Sequence, residues 1–248
     1  MDIIYEDNHI IAVNKRPGEI VLGDKTGDEP LSETLKRFIK ERDAKPGNVF
    51  VGVAHRLDRP VGGIVLFAKT SKALSRLNDM FRLGQVHKRY WALTRTVPNP
   101  PAADLTHYIT TTQSGNKSYA SPAPKPGAKE ARLRYTTLGR STSFSLVEVE
   151  LLTGRKHQIR VQLSASGCPI RGDLKYGDKR SNPDGSISLL AHEIDFIHPV
   201  SKKRIHLLAP LPEDAPWQAF QSLHRGYADR IAAERAEASK PQNLASDE

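Results

Sequence analysis

Cysteine occurs once in the 248 residues, at Cys168. A single thiol excludes an internal disulfide and counts against a structural zinc site. The nine histidines never fall at H-x-x-x-H spacing beside a third ligand, so no metal site is expected. No apolar run approaches membrane-spanning length, and no internal repeat is present. The first residues carry Asp2, Glu6 and Asp7 rather than a basic stretch leading into an apolar core. Asn116-Lys117-Ser118 matches a glycosylation acceptor, but nothing else points to secretion. The expectation is a soluble, cytoplasmic protein.

What the chain has in excess is positive charge. Net charge is +9 and the pI is near 9.6. The stretch from Gly226 onward is net acidic, with Arg230, Arg235 and Lys240 against Asp229, Glu234, Glu237, Asp247 and Glu248. The basic surface therefore belongs to the body, as suits an anionic partner. An apolar share of 38% is enough for a core. The pattern divides into a folded domain over 1–225 and a charged tail over 226–248, a weak helix or a frayed end.

Short strands are expected at 3–5, 10–13, 49–53, 64–68, 86–96, 132–138, 144–152, 187–197 and 204–208, where apolar and β-branched residues cluster between turn signals. Helical spacing marks Leu31, Leu35, Phe38 and Ile39 behind Pro30, and Leu74, Leu77 and Phe81 behind Thr70 or Ser71. A third helix is expected to open at Thr153-Gly154-Arg155, run through Ile159 and Leu163, and end at Gly167 and Pro169. The Gly-, Pro-, Ser- and Lys-rich stretch 113–130 reads as a mobile loop. Strands outnumber helices and come in hairpins, which favours an α+β fold: a mixed, largely antiparallel sheet with flanking helices and a cleft.

Two stretches carry chemistry. In Ala54–Lys69, Asp58 stands between Arg56 and Arg59, behind His55, and ahead of a Pro-Val-Gly-Gly break and an apolar strand. An acid held by a tight turn at a strand mouth suits catalysis, because the scaffold fixes its direction; a surface aspartate paired with arginine is the plain alternative. In Leu152–Gly177, Arg155, Lys156, His157 and Arg160 crowd a helix start, where outward N–H groups favour phosphate or carboxylate; a solvated basic helix face is the alternative there. Near misses fail. Gly18 to Thr26 resembles a P-loop with its lysine one residue out of place. His55-Arg56-Leu57-Asp58 departs from the kinase catalytic loop through Leu57 and the lack of a following Asn.

Asp58 with its preceding His-Arg-Leu, then Lys88-Arg89-Tyr90, then Thr153-Gly154-Arg155 through Asp173 and Tyr176-Gly177 together resemble the RluA family of RNA pseudouridine synthases. The resemblance spans roughly Asp2 to Pro210, with the three motifs in the family's order. It implies a pseudouridine synthase fold, an RNA uridine as substrate in ribosomal or transfer RNA, and no metal or organic cofactor. It assigns Asp58 as the catalytic aspartate, Tyr90 as the aromatic that stacks on the flipped base and assists proton removal, and Arg155 as the basic partner of the catalytic carboxylate. Arg56 matches the arginine that enters the RNA where the base leaves, and Ile159 a residue of the pocket wall. His55, Lys88 and Arg160 complete the expected substrate-binding set. Gly172-Asp173 and Tyr176-Gly177 are expected to act as a turn and in core packing.

Two departures stand out. Val61-Gly62-Gly63 replaces the usual Thr-Ser-Gly, and Gln162 stands where histidine is common. The pattern starts at the first residues, so no RNA-binding module is expected ahead of it, and a monomer suffices. The chemistry asks for the same parts on its own terms. A uridine must leave its stack at a cost of roughly a few kcal/mol, and stacking on an aromatic returns about 1–3 kcal/mol. One carboxylate, held charged and oriented by a guanidinium, then acts on sugar or base. A non-catalytic RNA-binding or ribosome-assembly factor on this fold is the alternative. An aspartate-dependent hydrolase lacks a second carboxylate or metal ligands.

Overall fold

A computed structural model describes residues 1–112 and 116–238, with side chains through residue 234. It divides into two compact units, Met1–Pro210 and Leu211–Glu248.

The first unit is built on one sheet. Its strands are β1 (Ile3–Glu6), β2 (Ile10–Lys15), β3 (Gly52–Val53), β4 (Gly62–Ala68), β5 (Val86–Thr94), β6 (Ala102–Thr112), β7 (Lys117–Ser121), β8 (Lys129–Arg140), β9 (Ser145–Leu151), β10 (Leu189–Ile197) and β11 (Arg204–Leu208). The order is β1-β2-β4-β10-β5-β9-β8-β6-β7, with β3 beside β4 and β11 beside β10. Only β4 and β10 run parallel among the recorded pairs. The α+β class and the mixed, largely antiparallel sheet expected from the sequence are what is found.

Burial follows composition. β4 reads Gly-Gly-Ile-Val-Leu-Phe-Ala and is buried throughout, as an apolar run inside a sheet covered on both faces must be. Helix α1 (Leu31–Arg42) buries Leu31, Leu35 and Ile39 on one stripe, with Glu33 in its first turn and Lys40 and Arg42 in its last, where the helix dipole favours each sign. Helix α2 (Ser71–Arg82) is capped by Thr70, whose hydroxyl accepts from the Ala73 N–H at 3.1 Å.

Helix α3 differs from expectation. It spans Gln158–Ala165 and starts five residues later than Thr153, because His157 just before it takes a left-handed conformation with φ 54°. Six of its eight residues are buried, Gln158, Arg160 and Gln162 among them, so it is no basic helix with a solvated face. Gln162 donates to the Ala131 carbonyl at 3.1 Å and contacts His107 Nδ1 at 3.1 Å, tying α3 to the sheet. The stretch 113–130 is only partly a loop: it contains β7 and the start of β8, and β6 precedes it, while residues 113–115 lie outside the described residues. Neither β6 nor β7 stands out in the sequence pattern, since β6 spaces Leu105 and Ile109 among Ala, Thr, Asp and His, and β7 is mostly small or polar.

The second unit holds α4 (Ala215–Gln218) and α5 (Gln221–Ala238), with Trp217, Phe220 and Ile231 buried. Helix α5 runs through Gly226, where the sequence suggested a change from domain to tail.

Candidate active site

Asp58 lies on the turn that feeds β4. Its carbonyl accepts from the Val61 N–H at 3.0 Å, closing the turn. Beneath it the Lys15 side chain, 1% exposed, donates to the carbonyls of Arg16, Arg59 and Val61 at 3.0, 3.1 and 2.7 Å. Burial pushes the Lys15 ammonium down to about 8, yet the three carbonyls give each of its protons a partner. Gly63 holds the next position in a way no other residue could. Its φ is +108°, and a Cβ there would meet the Ala191 carbonyl oxygen of β10 at 2.4 Å. The Val-Gly-Gly sequence that replaces Thr-Ser-Gly is thus pinned by backbone and by Lys15 rather than by hydroxyls.

Arg59, which flanks Asp58 in sequence, turns away and binds Asp28, Asp24 and Thr26. The guanidinium that meets Asp58 comes from α3: Arg160 Nη1 donates to Asp58 Oδ2 at 3.1 Å. Arg160 is fixed from behind by Asp173, whose two oxygens accept from Nε and Nη2 at 2.7 and 2.9 Å. Both members of that pair are buried, and such bidentate geometry is the strong form of the interaction.

This corrects the assignment of Arg155 as the partner of the carboxylate. Arg155 lies outside the helix, on the turn ahead of left-handed His157. Its Nε donates to the Glu130 carbonyl at 2.8 Å, and its own N–H donates to Gln158 Oε1. Asp173 and Tyr176 also do more than fill a turn. Asp173 anchors Arg160, and the Tyr176 hydroxyl sits 2.7 Å from His157 Nδ1 while accepting from the Ser118 N–H at 2.8 Å. His157, which the sequence reading left out of the site, lies with Nε2 3.7 Å from Asp58 Oδ2.

A cavity of about 370 Å³ opens in front of Asp58, lined by Tyr90, Lys88, Arg56, Arg155, His157 and Ile159 among others. Val61, Leu151, Ile159 and Leu189 make its walls apolar. A trough of about 480 Å³ adjoins it on the side of residues 20–26 and shares Asp58, Arg56, Lys156, His157 and Arg160 with it. The cavity and the trough therefore meet at Asp58, with Asp24 further along the trough and cations at the edges.

Tyr90, 6% exposed, lies on β5 opposite Ala191 of β10 and Val149 of β9. Burial, and then the Asp58 charge, push its hydroxyl far above the ordinary phenol range, so it is a protonated, flat surface at neutral pH. Lys88 stands 5.3 Å from the Phe81 ring, and burial lowers its pKa. His55 has a structural bond: its Nε2 accepts from the Leu66 N–H at 2.9 Å, and burial pushes the ring down to about 3. Arg56 is exposed at the rim. Of the expected residues, Asp58, Tyr90, Arg56, His55, Lys88, Arg155, Ile159 and Arg160 all line the one cavity. Among the described residues, no group of three potential metal-ligating side chains lies together.

The sheet thus carries one cavity carboxylate, an anchored arginine and a buried aromatic in one cleft. A family model described as RNA pseudouridylate synthase matches residues 9–165. The chain belongs to that family, the one to which the resemblance to RluA-type enzymes pointed. It is 32% identical over 222 residues to ribosomal large subunit pseudouridine synthase C of Vibrio cholerae, covering 84% of this chain and 65% of that protein. It is 30% identical over 238 residues to ribosomal large subunit pseudouridine synthase D of Xylella fastidiosa, covering 86% and 67%. The chain thus spans just under two thirds of the length of the Vibrio relative. Among solved structures, human RNA pseudouridylate synthase domain containing 4 superposes with a TM-score of 0.72 at 26% identity, covering 90% of this chain and 92% of that one.

Proposed function

We propose that the protein is an RNA pseudouridine synthase that isomerises uridine in ribosomal RNA. The observation that carries this reading is Asp58: one carboxylate at the junction of an apolar-walled cavity and a cation-edged trough, with Arg160 on one of its oxygens and Tyr90 in the same cavity. The cavity accepts a base swung out of its stack, as base chemistry inside structured RNA requires. Tyr90 offers the base a face, Ile159 and Val61 its apolar walls, and Arg56 enters the gap the base leaves. Asp58 then acts on the sugar or the ring, breaking the N-glycosidic bond so that the base can turn and rejoin through carbon. Lys156, Lys88 and Arg155 meet phosphates, the sequence-independent part of the affinity.

Transfer RNA is the alternative substrate; the names of the relatives favour the large ribosomal subunit. The reading includes no metal, no organic cofactor and a cytoplasmic monomer. The test is purified protein incubated with unmodified ribosomal RNA and scored for pseudouridine. Asp58→Asn is expected to bind RNA within about threefold of wild type and to lose at least about 10³-fold in turnover. Full activity in Asp58→Asn would falsify the assignment of the catalytic group. RNA binding with no pseudouridine formed would leave a non-catalytic RNA-binding factor.

A further inference from the structure

His157 is built into the site with more care than a residue of the pocket wall requires. Its backbone is left-handed at φ 54°, uncommon outside glycine though histidine is among the residues that adopt it more readily, and of the kind that persists at functional sites when its surroundings enforce it. Its side chain is buried and lines both the cavity and the trough. Its two nitrogens have different surroundings. Nδ1 lies 2.7 Å from the Tyr176 hydroxyl, and Nε2 lies 3.7 Å from Oδ2 of Asp58.

The Tyr176 contact decides where the ring proton sits. One lone pair of the hydroxyl is taken by the Ser118 N–H at 2.8 Å, a donor that cannot reverse. The Ser118 hydroxyl, also beside Tyr176, gives its own hydrogen to the Lys156 carbonyl at 2.8 Å, and Nδ1 is the nearest recorded partner of the phenol at 2.7 Å. With the tyrosine donating to it, Nδ1 is bare, and a neutral imidazole then carries its proton on Nε2. Burial, the largest influence on this ring, opposes its protonation, and the charges of Arg160, Lys175 and Lys156 act in the same sense, against Asp58.

The geometry points to His157 as a positioning residue for Asp58: Tyr176 and Ser118 fix its proton on Nε2, and with Arg160 it meets Oδ2, which leaves Oδ1 as the oxygen that faces the substrate. At 3.7 Å the Nε2–H stands just beyond hydrogen-bond length, so closure of the site around RNA by less than an ångström completes the contact. This assignment rests on the proposed activity for its kinetic consequence but not for its structural content.

The test has two arms. NMR of protein labelled with ¹⁵N-histidine reads the tautomer, the His157 signals being those that vanish in His157→Asn. A bare Nδ1 and a protonated Nε2 are expected in the wild type, and a mixture in Tyr176→Phe. A protonated Nδ1 in the wild type, or an unchanged tautomer in Tyr176→Phe, overturns the assignment whatever the protein does to RNA. The second arm is single-turnover pseudouridine formation. Asparagine tolerates the left-handed backbone, and its amide reaches toward Tyr176 but not Asp58. His157→Asn is expected to slow turnover about 10- to 100-fold with RNA affinity unchanged, less than the roughly 10⁴-fold loss when a histidine that itself moves protons is set in the wrong tautomer. Wild-type turnover in His157→Asn would reduce His157 to backbone support and sink the assignment. If the wild type forms no pseudouridine, the proposed activity fails, while the tautomer still decides the placement of His157.

Discussion

Arg160 and Asp58 are 102 residues apart in sequence and meet at 3.1 Å, Nη1 to Oδ2. The other edge of the guanidinium is bound by Asp173. Arg160 is thus shared between one carboxylate that holds it and one that it holds.

The relation separates two arginines that sequence alone confuses. Arg160→Lys keeps the charge but cannot serve both carboxylates at once. It is expected to lose at least about 100-fold in turnover and, with Asp173 left partly unpaired in the interior, about 2–4 kcal/mol of stability. Arg155→Ala leaves the Asp58 contact in place and is expected to change RNA affinity and little else. Parallel activity assays and urea unfolding check both; a larger catalytic loss in Arg155→Ala than in Arg160→Lys would restore Arg155 as the partner.

Tyr90→Phe retains the ring that faces the cavity and removes a hydroxyl that burial keeps protonated. RNA affinity is expected to stay within about twofold, since stacking needs the ring alone, and turnover to fall by about 10²-fold or more if the hydroxyl takes part in proton transfer. Single-turnover rates beside filter-binding affinities separate the two, and wild-type rates would leave Tyr90 as a platform only.

His55 gives the fold a dependence on acid. Its Nε2 accepts from Leu66, and its folded pKa lies near 3 against an ordinary 6.5. The unfolded chain therefore takes up this proton first, and stability declines as pH falls from about 6.5 toward 3. Between pH 7 and 5 the contribution is about 1–2 kcal/mol. Urea midpoints at the two pH values should drop less in His55→Asn than in wild type; equal drops would show that the ring is not held neutral.

Lys15→Met keeps the length of the side chain and strips three carbonyls of their donor. With Lys15 1% exposed, water cannot replace it, and a loss of about 2–4 kcal/mol is expected, together with slower turnover because the Asp58 turn loses its floor. A change in unfolding free energy below about 0.5 kcal/mol would show that the turn holds without it.

The sheet class, the strand that follows Asp58 and the flanking helices could be read from the chain, because apolar runs and caps are local signals. The partner of Asp58 could not. Arg155 and Arg160 sit five residues apart in one basic stretch, and the choice between them turns on a left-handed backbone at His157, which in a residue other than glycine leaves no mark in the sequence. Lys15 was hidden for a different reason: lysine reads as exposed, and only its place at the end of the wholly apolar Ile10–Val13 run hinted otherwise. Asp173 and Tyr176 looked like turn and packing residues because their partners, Arg160 and His157, lie across a turn of helix and a loop.

The place of β10 in the sheet bears on when the protein becomes competent during its synthesis. Asp58 belongs to the β1-β2-β4 side and Tyr90 to the β5-β9-β8-β6-β7 side, and in the recorded order β10 alone lies between them. A growing chain has Asp58, Tyr90 and Arg160 by residue 160, but Asp173, which anchors Arg160, follows later, and no strand joins the two sides until residues 189–197 emerge. A ribosome-bound intermediate short of that point carries aspartate and tyrosine on separate sheets. Under the proposed function, pseudouridine formation would wait for the strand that closes the seam.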